Sequence, residues 1–237
     1  MTNLLSVMAD AKTKKGIKYG YLTGVLYLAP ATSSGKYNTC ASASAGCIAA
    51  CLNFAGRSRF DAKIQVARVR KTHELFADRE VFMARLEHDI KALVRKAARM
   101  GLTPAVRLNG TSDLPWLSIE LAKRFPDVQF YDYTKHARPW TRSASNYHVT
   151  FSWSGENMEA CREALANGVN VAVPFDLKKG AELPATWQGY SVVDGDLSDL
   201  RFLDESGVIV GLRVKSVSKD RKASGMANGF VQIAGVL

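Results

Sequence analysis

The sequence predicts an α/β fold, a parallel (β/α) barrel, closed or partial and TIM-like, with a helical insertion after the first strand. Three observations lead there. First, short β-branched or aromatic runs recur at 21–28 (YLTGVLYL), 104–109 (PAVRLN), 128–133 (VQFYDY), 147–153 (YHVTFSW), 169–175 (VNVAVPF), 190–194 (YSVVD) and 208–214 (VIVGLRV). Second, several are apolar at nearly every position, as expected of parallel strands covered on both faces. Third, helical stretches such as 114–124 and 156–167 lie between them, the alternation that builds βαβ units. A doubly wound open sheet is the alternative. The 237 residues suffice for one large domain, so residues 1–237 are read as a single α/β unit.

Composition narrows the classes. Hydrophobic residues make up 47% and charged residues 23%, which excludes a disordered or fibrous chain. No run approaches the roughly 18 apolar residues of a membrane span, so no membrane association is expected. The opening MTNLLSVMADAKTKKG lacks the order of a signal peptide, and the four cysteines are too few for a disulfide scaffold. Reduced thiols in a cytoplasm follow. The net charge of +10 is uneven: residues 1–118 carry 18 basic and 8 acidic side chains, whereas residues 119–237 carry 14 of each. A positive field confined to one half fits recruitment of a polyanion as well as simple solubility.

The excess charge falls largely in the insertion, about residues 32–100. In Arg79–Arg99, the residues Met83, Leu86, Ile90, Leu93, Val94 and Ala97 share one face at helical periodicity, while Arg85, His88, Lys91, Arg95 and Arg99 share the other. A preceding helix over about 57–76 places Arg59, Lys63 and Arg70 in one narrow sector, with Arg57 at its start. Such stripes are either solvated faces or an anion-binding surface.

The most informative stretch is 38–57, NTCASASAGCIAACLNFAGR. Cys40, Cys47 and Cys51 form a C-x6-C-x3-C arrangement in a loop of Ala, Ser and Gly that follows the first strand. Small residues let backbone wrap an inorganic centre and offer it N–H groups. Three thiolates suit a [4Fe–4S] cluster with one iron open to an outside ligand; zinc with a fourth ligand from elsewhere is the alternative. Zinc sites usually show two close cysteine pairs, and no second pair exists here. Free cysteines also pack well in cores, and Cys161, alone on a predicted helix, is read as core.

In parallel sheets, function gathers at the carboxyl ends of the strands. Those ends here carry Asn109 to Asp113, then Tyr131, Asp132, Tyr133, Thr134 and Lys135, then Ser152 to Ser154, and later Asp194, Asp196, Asp199 and Arg201. Arg107 alternates with Asn109 on an otherwise apolar strand; both need partners if they point inward. The ligand-facing candidates are therefore Arg107, Asn109, Asp113, Tyr131, Asp132, Tyr133 and Lys135. Tyr131, Tyr133, Trp140, Tyr147, Phe151 and Trp153 also interleave with Lys135, Arg138 and Arg142, as a surface for single strands would require.

Together, NTCASASAGCIAACLNFAGR, VRLNGTSDLPW, FYDYTKHARPW and VVDGDLSDLRF resemble the phage "gene product 88" family, from about residue 21 to residue 230. The resemblance implies a phage or mobile-element origin, hence a host cytoplasm, and brings no settled activity. More distantly, the chain is similar to radical SAM enzymes, whose (β/α) barrel carries a three-cysteine [4Fe–4S] loop after its first strand. Cys40, Cys47 and Cys51 occupy a comparable place, and residues 109–113 end the second strand where that superfamily binds the methionyl amine of S-adenosylmethionine. The usual spacing there is C-x3-C-x2-C, and this chain departs from it.

Two functions are expected. One is an iron–sulfur protein that holds nucleic acid, single-stranded DNA or RNA, through Arg57, Arg59, Lys63, Arg70, Arg85, Arg95 and Arg99 together with aromatic side chains. The other, the alternative to that first reading, is a radical SAM-like enzyme whose open iron activates S-adenosylmethionine or a small substrate, with Asp113, Lys135 or Asp196 as polar partners.

Overall fold

A computed structural model describes residues 3–8, 11–142, 144–215 and 218–234, without the side chains of residues 11, 12, 57, 59, 140 and 142. The chain opens with β1 (Leu5–Val7), α1 (Ala11–Lys15) and β2 (Tyr21–Leu26). The insertion follows as α2 (Ala45–Ala49), α3 (Arg57–Phe60), α4 (Ala62–Ala77) and α5 (Arg79–Arg99). Strand and helix then alternate through β3 (Thr103–Arg107), α6 (Pro115–Arg124), β4 (Gln129–Thr134), β5 (Tyr147–Ser152), α7 (Met158–Ala166) and β6 (Val171–Phe175). The chain continues with β7 (Thr186–Trp187), β8 (Tyr190–Asp194), β9 (Ile209–Arg213) and α8 (Lys219–Ala227).

The nine strands among the described residues form one sheet in the order β1-β2-β3-β4-β5-β6-β9-β8-β7. Pairing is parallel from β2 to β8, with antiparallel β1 and β7 at the two edges. Each of the seven expected runs is a strand. The short edge strands β1 and β7 were not expected, since three and two residues are too few to show a period. Strict sequential order also breaks at the end, where β9 slots between β6 and β8.

Period-2 alternation sends side chains to two faces. One face carries Leu22, Val106 and Phe130 against α5 and α6. Met83, Leu86, Ile90, Leu93 and Ala97 of α5 are buried there as its periodicity predicts; Phe82 joins them unexpectedly, and Val94 is only half-buried. Each fully buried side chain of this kind contributes about 1.5–3 kcal/mol. Asp78 caps α5, accepting from Val81 N at 3.0 Å. The expected helix over 57–76 is interrupted at Asp61, whose carboxylate caps α4 by accepting from Lys63 N at 3.0 Å.

The opposite face carries Ala105, Arg107, Tyr131 and Tyr133 and is covered by residues 198–204, between β8 and β9. Leu200 packs on Ala105 and Tyr131, and Phe202 meets the rings of Tyr21 and Tyr131 edge-on at 5.0 and 5.4 Å. Among the described residues, no helix is long and apolar enough to cross a membrane.

Candidate functional site

The cysteine loop is fixed from three directions. Thr39, beside Cys40, donates its hydroxyl to Ala29 O at 2.6 Å and accepts Asp113 N on its carbonyl at 2.8 Å, tying the loop to the ends of β2 and β3. Ser44 caps α2, accepting from Cys47 N at 3.2 Å, and its hydroxyl donates to Ser154 O beyond β5. The third anchor is α8 and the chain beyond it: Arg221 donates to Ala49 O at 3.2 Å and lies 3.7 Å from the centre of the Phe54 ring. Contact on this side is close enough to require glycine, because a Cβ on Gly46 would fall 2.7 Å from Phe230 Cβ. Cys47 lies within α2, whereas Cys51, with ψ of 136°, has left the helix.

Cys40, Cys47 and Cys51 line one cavity of about 280 Å³, near the lower end of the roughly 300–1,000 Å³ typical of small-molecule sites. The cavity opens at the carboxyl ends of the parallel strands. Five of the seven expected ligand-facing residues line it: Arg107, Asn109, Asp113, Tyr133 and Lys135. Trp153, Pro174, Leu212 and Phe230 supply its apolar wall.

Tyr131 and Asp132 do not line the cavity; both lie beneath it as supports. Tyr131 donates its hydroxyl to Asp199 Oδ2 at 3.1 Å, and Arg107 Nη1 reaches the same oxygen at 2.9 Å while its guanidinium stacks 4.8 Å from the Tyr133 ring. Burial, the largest single influence, works against the Arg107 charge, but Asp199 together with Tyr133, Tyr131 and Tyr27 outweighs it and raises the pKa. Asp132 faces the other side of the sheet, where it accepts from Asn109 N at 2.8 Å, Asn109 Nδ2 at 3.0 Å, Tyr147 OH at 3.2 Å and the Ser118 hydroxyl. Burial pushes its carboxyl up to about 6 against the pull of those donors. Asp132 therefore orients Asn109 from below.

Lys135 is the central cation of the site. Its backbone N–H donates to Asp113 Oδ2 at 2.8 Å, and Asp113 Oδ1 accepts the Thr134 hydroxyl at 2.7 Å. Its side chain lines the cavity together with Cys40, Cys47 and Cys51, and its ammonium lies 5.6 Å from the Phe230 ring centre. Burial lowers the pKa of this ammonium, but Cys47 and Asp113 more than compensate and raise it. Burial raises the Cys40 thiol and pushes Cys51 up to about 11. Cys161 is fully buried in the core around β5 and β6, away from the cavity lining, and burial pushes its thiol up to about 12.

Sequence reasoning did not single out Arg213, Lys215 or Phe230, which also line the cavity. Arg213 ends β9 as Arg107 ends β3, so the same strand-end signal was available. It pairs with Asp194 at 2.9 Å and Asp196 at 3.4 Å, and Lys215 pairs with Asp196 at 2.6 Å. Phe230 reaches the site only through docking of the C-terminal segment, which leaves no local sequence signal.

The basic stripe is thinner than its sequence suggests. Glu74 takes both Arg70, at 2.8 Å, and Arg85, at 3.0 Å. Lys63, Arg95 and Arg99 are exposed. The side chains of Arg57 and Arg59 lie outside the described residues, as do those of Trp140 and Arg142. Tyr131, Tyr147, Phe151 and Trp153 are buried, with relative exposures of 0%, 5%, 1% and 6%, and present no open ring face. Two cations of α4 are buried instead: Arg68 bonds Asn53 and Ser58, and Lys71 donates to Leu4 O at 3.3 Å.

Fold and site together define an α/β protein with a cysteine-lined cavity at the carboxyl edge of a parallel sheet. A family model described as Gene product 88 matches residues 3–228, and the chain belongs to that family. No curated protein and no solved structure matches it.

Proposed function

We propose that Cys40, Cys47 and Cys51 hold an iron–sulfur cluster, and that the cavity beside it binds a small molecule on which the protein acts in the manner of a radical SAM-like enzyme. The single observation that carries this is that three thiols of one loop line one cavity with Lys135, Asn109 and Asp113. Three thiols of one loop at one cavity are the donors that a [4Fe–4S] cluster with one open iron uses. Cluster and zinc alike would require them to draw together, because among the described residues no group of three His, Cys, Asp or Glu side chains is placed to hold a metal ion. A cluster spreads its thiolates over several irons, and three thiolates leave one iron open. When bound, it would supply a site for Lewis-acid or one-electron chemistry.

The chain's own residues do the rest. Lys135 offsets thiolate charge, Asn109 and Asp113 offer polar contacts, and Trp153, Pro174, Leu212 and Phe230 exclude water. The sequential winding from β2 to β6 supports reading the sheet as a partial (β/α) barrel, with residues 198–204 as its interior plug. S-adenosylmethionine is the first ligand to test. Anaerobic purification, iron and sulfide analysis, an absorption spectrum and calorimetric titration with S-adenosylmethionine test the proposal. A colourless, iron-free protein overturns it.

Exposed Lys63, Arg95 and Arg99 favour a second reading, in which the same protein holds nucleic acid, single-stranded DNA or RNA, on the outer faces of α4 and α5. With the central aromatic rings buried, such contact would run through phosphates and depend strongly on salt.

A further inference from the structure

The cluster's thiolates do not face a neutral wall. Lys135 is set immediately after β4 and pinned through its backbone to Asp113, so the base of its side chain is held at the cavity wall. Lys135 lines the same cavity as Cys40, Cys47 and Cys51, and its charge acts on those thiols and on Cys161 as well. The half-buried Phe230 ring lies 5.6 Å from its ammonium. The other charges facing the thiols are Asp113, which acts on Cys40, and Arg68, which acts on Cys51.

A positive charge fixed in a partly desolvated cavity stabilises whichever redox state carries more negative charge. Adding one electron to a cluster makes it one unit more negative. Hydrogen bonds to cluster sulfurs and local charge are the means by which proteins set such potentials. We propose that Lys135 sets the reduction potential of the cluster on Cys40, Cys47 and Cys51, holding it high enough for a one-electron donor to reduce. This rests on the cluster assignment above and gives Lys135 a positioning and electrostatic role rather than that of a substrate ligand.

The test is an anaerobic potentiometric titration of the wild-type chain with dithionite and mediators, followed by absorbance, with iron and sulfide measured on every sample. Lys135→Met should keep the iron and lower the midpoint by at least the equivalent of a tenfold change in the reduction equilibrium, about 59 mV for one electron. Lys135→Arg keeps the charge and should restore most of the shift. Asp113→Asn removes the opposing carboxylate and should move the midpoint upward. If Lys135→Met loses its iron, Lys135→Arg and Asp113→Asn carry the test. An unchanged midpoint in Lys135→Met at full iron content, or in Asp113→Asn where Lys135→Met is empty, overturns the role of Lys135. A wild-type chain without iron instead overturns the cluster assignment itself.

Discussion

Arg221 and Ala49 are 172 positions apart in the chain, yet the guanidinium of one donates to the carbonyl of the other at 3.2 Å. That bond sits at the end of α2, two residues before Cys51, and the Arg221 guanidinium also covers the Phe54 ring. The last described helix therefore holds the cysteine loop in place. Arg221→Ala should cost about 1–3 kcal/mol, through a lost charge-assisted bond and lost stacking, and should release the cluster at lower temperature. Gly46→Val should be worse, since its Cβ would meet Phe230. Thermal melts followed at the cluster's absorbance and by circular dichroism check both; a melt of Gly46→Val matching wild type would refute the clamp.

Asp132 gathers Asn109, Ser118 and Tyr147 in a buried setting, so it should tolerate little change. Asp132→Ala leaves several donors unsatisfied and should destabilise the fold by about 2–4 kcal/mol. Because it also frees the Asn109 loop, ligand binding in the cavity should weaken in parallel. Urea unfolding and a ligand titration on the same variant measure both effects.

Much of this arrangement was legible in the sequence. Near-continuous apolar runs marked the strands because parallel strands are buried on both faces, and the 3.6-residue period of Arg79–Arg99 matched its buried face at Met83, Leu86, Ile90, Leu93 and Ala97 while missing Phe82. The cavity wall was legible through Arg107, Asn109, Asp113, Tyr133 and Lys135, because strand ends converge whatever the loops do. Alternation also places Asp132 opposite Tyr131 and Tyr133, but it does not say which side is the cavity. The pairing of Arg85 with Glu74 depends on how α4 packs against α5, and the reach of Phe230 depends on C-terminal docking. Neither leaves a trace in local pattern.

His148 bears on acid stability. Burial, with Arg201 nearby, pushes its pKa down to about 4 from the usual 6.5. The folded state therefore binds this proton less readily than the unfolded state does. The stabilisation is fully present above about pH 6.5 and is lost as pH falls toward 4. His148→Phe should flatten that part of the stability curve, and urea midpoints at pH 7, 6 and 5 would reveal it. Equal pH slopes in the variant and the wild type would count against this role.

Cys161 is expected to be core rather than ligand. Cys161→Ala should retain the full cluster spectrum and lose about 1 kcal/mol by removing one buried atom. Iron analysis of this variant decides the matter, because selective loss of iron would make the site a closed set of four cysteines.

For the basic face, Arg95→Glu with Arg99→Glu is the cleanest perturbation. Both side chains are exposed, whereas changing Arg85 would also set a carboxylate against Glu74. If nucleic acid docks there, the affinity of a labelled single strand should fall steeply between 50 and 200 mM salt. The double variant should weaken binding and flatten that slope. Fluorescence anisotropy reports both, and a wild-type protein that binds nothing at low salt leaves the basic face as a solvated surface.

The most direct measurement is the iron and acid-labile sulfide content of the anaerobically purified chain beside a variant with Cys40, Cys47 and Cys51 all changed to Ser. About four irons and four sulfides per wild-type chain are expected, the stoichiometry of a [4Fe–4S] cluster, with none in the triple variant. Iron-free wild-type protein, or a triple variant that keeps its full complement, would contradict the assignment.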